Sequence, residues 1–171
     1  MNVWRLIASD VRAKALWLYG ADARHGVLKA LCTDGTFAMI VYRLMQASQR
    51  RRLTPLAMLF NKLNVFCGRC IIGRGADFGP AFVLVHSYGV VINTEVRGGS
   101  NVTVEHLVTI GAEKGSSPVL GDGVFLGAGC KVIGGLRIGH RVKVGANAVV
   151  VDDLPDGCTA VGIPARVVGK G

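Results

Sequence analysis

Leu120-Gly121-Asp122-Gly123-Val124-Phe125-Leu126-Gly127-Ala128-Gly129-Cys130-Lys131-Val132-Ile133-Gly134-Gly135-Leu136-Arg137-Ile138 places a large apolar residue at every sixth position, and Val144 and Val150 continue the series. A step of six matches neither the 3.6-residue period of a helix nor the alternation of a half-buried strand. Extended towards the N-terminus, the same phase meets Lys114 and then Val108, Val102, Val96, Val90, Leu84, Phe78, Ile72 and Phe66. Lys114 sits in Ala112-Glu113-Lys114-Gly115-Ser116-Ser117-Pro118, whose composition is that of a loop. Such a period marks a repeat architecture. Its physical reading is a parallel β-helix in which each hexapeptide supplies one short strand and a turn. Three of them, about 18 residues, close a triangular coil with the phase residue pointing inward. Glycine follows the phase residue at positions 73, 79, 121, 127, 139 and 145, where a corner asks for unusual backbone angles. Cys70, Ala76, Ser100, Ala112, Cys130 and Ala148 fall four positions after it and read as small interior residues. Cys70 and Cys130 thereby take a packing role.

Outward from the repeat the chain changes character. Residues 1–67 carry 10 basic and 3 acidic side chains with 3 glycines, against 10, 8 and 21 in residues 68–171. The net charge of +9 therefore belongs mostly to the first part. That part reads as helices. Trp4–Tyr19 is one, and Phe37, Ile40, Val41, Leu44 and Met45 form the apolar stripe of a second, with Thr33 or Asp34 as its cap. Thr54-Pro55 opens a third, with Leu56, Leu59, Phe60 and Leu63 on its apolar face. The expected organisation is an N-terminal helical region over 1–64, capping the open end of a β-helix over 65–171. Arg50, Arg51 and Arg52 suit the end of a helix, and no motif that reads nucleic acid accompanies them.

Several classes drop out. The longest uncharged run, Phe78–Thr94, contains Gly79, Pro80, His86, Gly89 and Asn93 and makes a poor membrane span. No signal-peptide pattern opens the chain, so a cytoplasmic protein is expected. The five cysteines are scattered, and Cys67-Gly68-Arg69-Cys70 lacks two further ligands for a structural zinc, so no metal is expected. Nucleophile-elbow, dinucleotide and phosphate-loop motifs are missing.

The hexapeptide array, its interrupting loop and the ending Gly162-Ile163-Pro164-Ala165-Arg166 resemble the left-handed β-helix acyltransferases. His86-Ser87-Tyr88-Gly89-Val90-Val91-Ile92, with Val102-Thr103-Val104 and Val108-Thr109-Ile110-Gly111, resembles the serine acetyltransferase branch. The resemblance implies a homotrimer with active sites between prisms, acetyl-CoA as co-substrate and transfer to the hydroxyl of a small acceptor. It makes His86 the general base, a role that suits an imidazole whose pKa lies near working pH. His106, one coil above and two residues along at an inward position, is a second catalytic candidate. For coenzyme A the matching positions are Gly127, Ala128, Gly145 and Ala146, with Lys143 and Arg166 as phosphate partners.

The departures bear on the acceptor. The family pattern has an acidic residue before the histidine, where this chain has Val85, and an Asp-Arg-His run before the loop proline, where it has Ser116 and Ser117. The aspartate that orients the histidine would fall at Ile71 or Val65, leaving a backbone carbonyl, Glu95 or Glu105 to do that work. A zwitterion such as serine needs charged partners. The losses resemble the sugar O-acetyltransferases of exopolysaccharide assembly, and a catalytically silent scaffold with a basic helical surface is the alternative of another class.

Overall fold

The computed structural model describes residues 1–20 and 23–170. Four helices come first: α1 (Val3–Tyr19), α2 (Ala23–Leu31), α3 (Thr36–Arg50) and α4 (Thr54–Phe66). Asn2 caps α1 by accepting from the Arg5 N–H at 2.9 Å. The sequence reading contains no counterpart of α2. That helix is short and holds Gly26, a poor helix former, where it packs beside Tyr19 and Ala15 of α1. The cap of α3 is Gly35, in a left-handed conformation, and neither Thr33 nor Asp34 fills that position. Its buried face carries Ala38, Met39, Val41, Tyr42 and Met45, rotated from the stripe expected. In α4, Leu56 and Leu59 lie exposed while Ala57 and Asn64 pack inward.

The remainder winds as a triangular prism. The first coil holds β1 (Ile71–Ile72), β2 (Asp77–Phe78) and β3 (Val83–Leu84), and the second β4 (Val91–Ile92), β5 (Arg97–Gly98) and β6 (Thr103–Val104). The third holds β7 (Thr109–Gly111), β8 (Val119–Leu120) and β9 (Phe125–Leu126), and the fourth β10 (Lys131–Ile133), β11 (Arg137–Ile138) and β12 (Lys143–Val144). A fifth begins with β13 (Val149–Val150) and ends on β14 (Cys158–Val161), which the antiparallel β15 (Arg166–Lys170) closes off. The strands stack into three parallel sheets, β1-β4-β7-β10-β13, β2-β5-β8-β11 and β3-β6-β9-β12-β14.

The coils depart from a uniform 18 residues. Ile71 pairs with Val91 and Thr103 with Phe125, because the first coil has two extra residues at one corner and the loop before Pro118 lengthens the turn above it. The inward residues of the second coil are therefore Ile92, Gly98 and Val104, two positions on from the six-residue phase. Val90, Val96, Val102 and Val108 are nevertheless fully buried. Each hexapeptide buries two residues spaced two apart, so the slip leaves the apolar period intact. Of Ser100 and Ala112, read as interior, the first is only half-buried and the second exposed for the same reason, whereas Cys70 and Cys130 are buried, their thiols pushed up to about 12 by desolvation.

The glycines after the phase residue have ordinary φ angles. They are small because the next coil passes too close: a Cβ on Gly127 would lie 2.8 Å from the Ala146 nitrogen, and one on Gly139 2.6 Å from that of Asp156. The left-handed corner residues come two positions later, as in Gly89, Leu107, Gly129 and Asn147 at one corner.

The helices seal the N-terminal end of the prism. The Arg43 guanidinium, fully buried, binds Asp10 at 2.6 Å and donates to the carbonyls of Phe78 and Gly79 at 2.8 and 2.6 Å. Asp10 accepts from the Phe82 N–H at 3.0 Å, and burial still raises its pKa despite the guanidinium. The Tyr42 hydroxyl donates to the Ala76 carbonyl and accepts from the Phe78 N–H, both at 3.1 Å. Backbone groups of the first coil that no lower coil can pair find side-chain partners here.

Candidate active site

Three residues beyond the paired third-sheet positions Val83, Thr103, Phe125 and Lys143 come His86, His106, Ala128 and Ala146. They form one column along the corner between the third and first sheets. His106 stands directly above His86, with ring centroids 6.0 Å apart in a T-shaped arrangement. It is neither inward nor displaced two residues along: the extra Ser87 and Tyr88 of the lower corner bring the two histidines into line, and 44% of the His106 side chain is exposed. His86 is 51% exposed.

Each histidine faces a carboxylate. Asp34 Oδ2 lies 3.5 Å from His86 Nδ1, and Glu105 Oε2 lies 3.6 Å from His106 Nδ1. Glu105, a sequence candidate for His86, thus serves the other ring. It occupies the position in the second coil that Val85 holds in the first. Asp34 comes from the turn between α2 and α3, where the left-handed Gly35 packs so tightly under β3 that a Cβ would sit 2.5 Å from the Leu84 carbonyl oxygen. With Nδ1 turned to a carboxylate, Nε2 of His86 is left to accept a proton. A cleft of about 470 Å³ opens beside this ring, lined by Asp34, Arg69, Tyr88, Cys32 and Cys67. It contains one acidic and one basic side chain.

Above the histidines the column continues with the small residues Ala128 and Ala146, preceded by Gly127 and Gly145. Lys143 projects outward from β12. Arg166 binds Asp152 at 3.0 Å. His140, outside every motif, accepts from the Asp122 N–H at 3.0 Å on a different corner. Among the described residues no group of three or more side chains suited to a metal ion occurs, and no helix is long and apolar enough to cross a membrane.

Sequence reasoning missed Asp34. It read that residue as a candidate helix cap, and the signal available was a Thr-Asp-Gly turn whose acidic residue turns out to cap nothing.

A coiled prism with small-residue corners and a histidine column defines a hexapeptide-repeat acyltransferase, and residues 117–152 match the bacterial transferase hexapeptide (six repeats) family. The chain is 41% identical over 144 residues to a serine acetyltransferase of Helicobacter pylori, covering 82% of this chain and 84% of that one. Among solved structures, a Neisseria gonorrhoeae serine acetyltransferase in complex with serine superposes with a TM-score of 0.85 at 29% identity, over 96% of this chain and 68% of that one. A serine acetyltransferase in complex with CoA superposes with a TM-score of 0.83 at 26% identity, over 94% and 68%. The chain spans about two thirds of the length of these two structures. It belongs to the serine acetyltransferase family, and its prism is the left-handed β-helix of O-acetyltransferases.

Proposed function

We propose that this chain moves the acetyl group of acetyl-CoA to the hydroxyl of serine, as a homotrimer with His86 as general base. The observation that carries the reading is the Asp34 carboxylate 3.5 Å from His86 Nδ1, in a cleft that also holds Arg69. Val85, Ser116 and Ser117 leave those three positions without the charges that would hold a zwitterion. Asp34 and Arg69 supply one charge of each sign, which suits the ammonium and carboxylate of a free amino acid better than a neutral sugar.

In this reading Nε2 of His86 takes the serine hydroxyl proton as the oxygen attacks the thioester carbonyl. The tetrahedral adduct collapses, the carbon–sulfur bond breaks, and the proton passes from His86 to the departing thiolate. No covalent enzyme intermediate forms. Asp34 holds the imidazole in the tautomer that leaves Nε2 free and stabilises the imidazolium that follows. The pantetheine arm runs up the column past His106 and then Ala128 and Ala146, whose methyl side chains admit it close to the backbone. Lys143 is free to meet a phosphate, while Arg166 reaches one only by leaving Asp152.

The test is release of coenzyme A thiol from acetyl-CoA with serine, homoserine and nucleotide-linked sugars as acceptors. Serine-dependent turnover is expected. Turnover on a sugar alone would install the exopolysaccharide reading, and binding of acetyl-CoA without turnover on any acceptor would leave a silent scaffold.

A further inference from the structure

Lys14 of α1 has no part in the chemistry above, yet it is fully buried. Its ammonium donates to the backbone carbonyl of Asp34. The carboxylates acting on it are those of Asp34, on the α2–α3 turn, and Glu105, after β6. These are the two carboxylates that face His86 and His106. One turn back on α1, Asp10 is committed to Arg43 of α3. The same α1 stacks Trp17 on Phe125, with ring centroids 5.4 Å apart, so the helix runs along the third sheet beside the histidine column.

We propose that Lys14 is a positioning residue for the acetyl transfer: it tethers the Asp34 turn against the prism and serves as the shared counter-ion behind both histidine–carboxylate pairs. The inference rests on the reading of His86 and Asp34 given above. Both groups crowd the same face of Gly35, the Leu84 carbonyl oxygen and the Lys14 ammonium standing 2.5 and 3.1 Å from where its Cβ would be. Two residues beyond Leu84 comes His86, so the ammonium joins α1 and the turn next to the corner that bears that histidine.

Holding that charge in the interior costs folding stability, and desolvation brings the Lys14 pKa down to about 8. An apolar side chain of similar length would fill the site at less cost. A residue kept only for packing would not be lysine.

The test uses the full chain as wild type, Lys14→Met and Lys14→Arg. In Lys14→Met, kcat should fall about tenfold, part of the roughly 10²–10⁴ that a positioned base contributes, with the KM for acetyl-CoA unchanged. Its Tm should be equal to the wild type or higher. Wild-type kcat should decline above pH about 8 as the ammonium is lost, and Lys14→Arg should keep activity while moving that limb to higher pH. An unchanged kcat in Lys14→Met, or a limb that stays in place in Lys14→Arg, overturns the proposal. The His86 titration followed by NMR needs no turnover: it should move between wild type and Lys14→Met, and superimposable curves overturn the role of Lys14 even if no acceptor is found. Loss of activity in His86→Ala with an unaltered Lys14→Met would retain the site and discard this inference alone.

Discussion

A half-exposed imidazole becomes a useful base only when one nitrogen is held and the other is free. In the proposed mechanism Asp34 does the holding for His86 across 3.5 Å, although the carboxylate itself is largely open to solvent. His86→Ala should lower kcat by about 10²–10⁴-fold with little change in the KM for acetyl-CoA, as measured by steady-state thiol release. Asp34→Asn keeps the shape and removes the charge that stabilises the imidazolium. A loss of about tenfold to a hundredfold in kcat is expected, smaller than that of His86→Ala, and an equal kcat would dismiss Asp34 as the partner. Lys14 makes a separate prediction about stability. Its folded pKa, about 8, lies below the ordinary 10.5, so between these values the unfolded chain binds the proton and the folded one does not. Stability relative to Lys14→Met should therefore rise with pH across that window, by up to about 1.4 kcal/mol per unit, and denaturant titrations at pH 7.5 and 9.5 would show it. Of these candidates, His86 stood out in the sequence because a local motif surrounds it. Asp34 and Lys14 did not: each meets the histidine only through the folded chain, and a lysine within an amphipathic pattern reads as a solvated charge.

The elements show why a six-residue rhythm revealed the fold but misplaced part of it. Two buried positions per hexapeptide, two residues apart, mean that a two-residue insertion moves the phase from one buried set to the other without leaving a polar residue in view. Ser87 and Tyr88 are that insertion, and they widen the corner that bears His86. The glycines misled in the same way, because composition does not distinguish a positive φ from a close approach. Gly98 is the sharpest case. It takes an inward place in the second coil, and a Cβ there would stand 2.2 Å from Cδ1 of the buried Phe78 ring. Gly98→Val should destabilise the chain by about 1–3 kcal/mol through overpacking, read as a lowered denaturation midpoint. Helices α1, α3 and α4 were legible as helices and α2 was not, and α3 presents Tyr42, Arg43 and Gln46 to the first coil, polar side chains that no apolar stripe announces. Arg43→Met leaves Asp10 buried without its cation and should cost about 3–5 kcal/mol, whereas changing both partners to apolar residues should cost much less.

At the scale of the whole molecule, the histidine column lies on an outer corner of a single prism, and a corner open to solvent cannot by itself exclude water from the thioester of the proposed reaction. Beside that corner, the first sheet exposes Ile71 and Val91, and Tyr88 and Leu107 flank them on the turns, an apolar strip continuous with the site. A contiguous apolar strip of this kind suits contact with another protein surface. The proposed trimer supplies that surface and a wall against solvent together, since packing the strip of one prism against a neighbour brings that neighbour beside His86. Light scattering should then give three times the 18.0 kDa chain mass. Ile71→Asp combined with Val91→Arg should return single chains that keep the far-UV signature of the prism and lose serine acetylation, because the corner is opened while His86 and Asp34 remain in place. Monomers with full activity would put the complete site within one chain. Trimers that persist through both substitutions would move the interface to another face, and with it the wall that closes over the thioester.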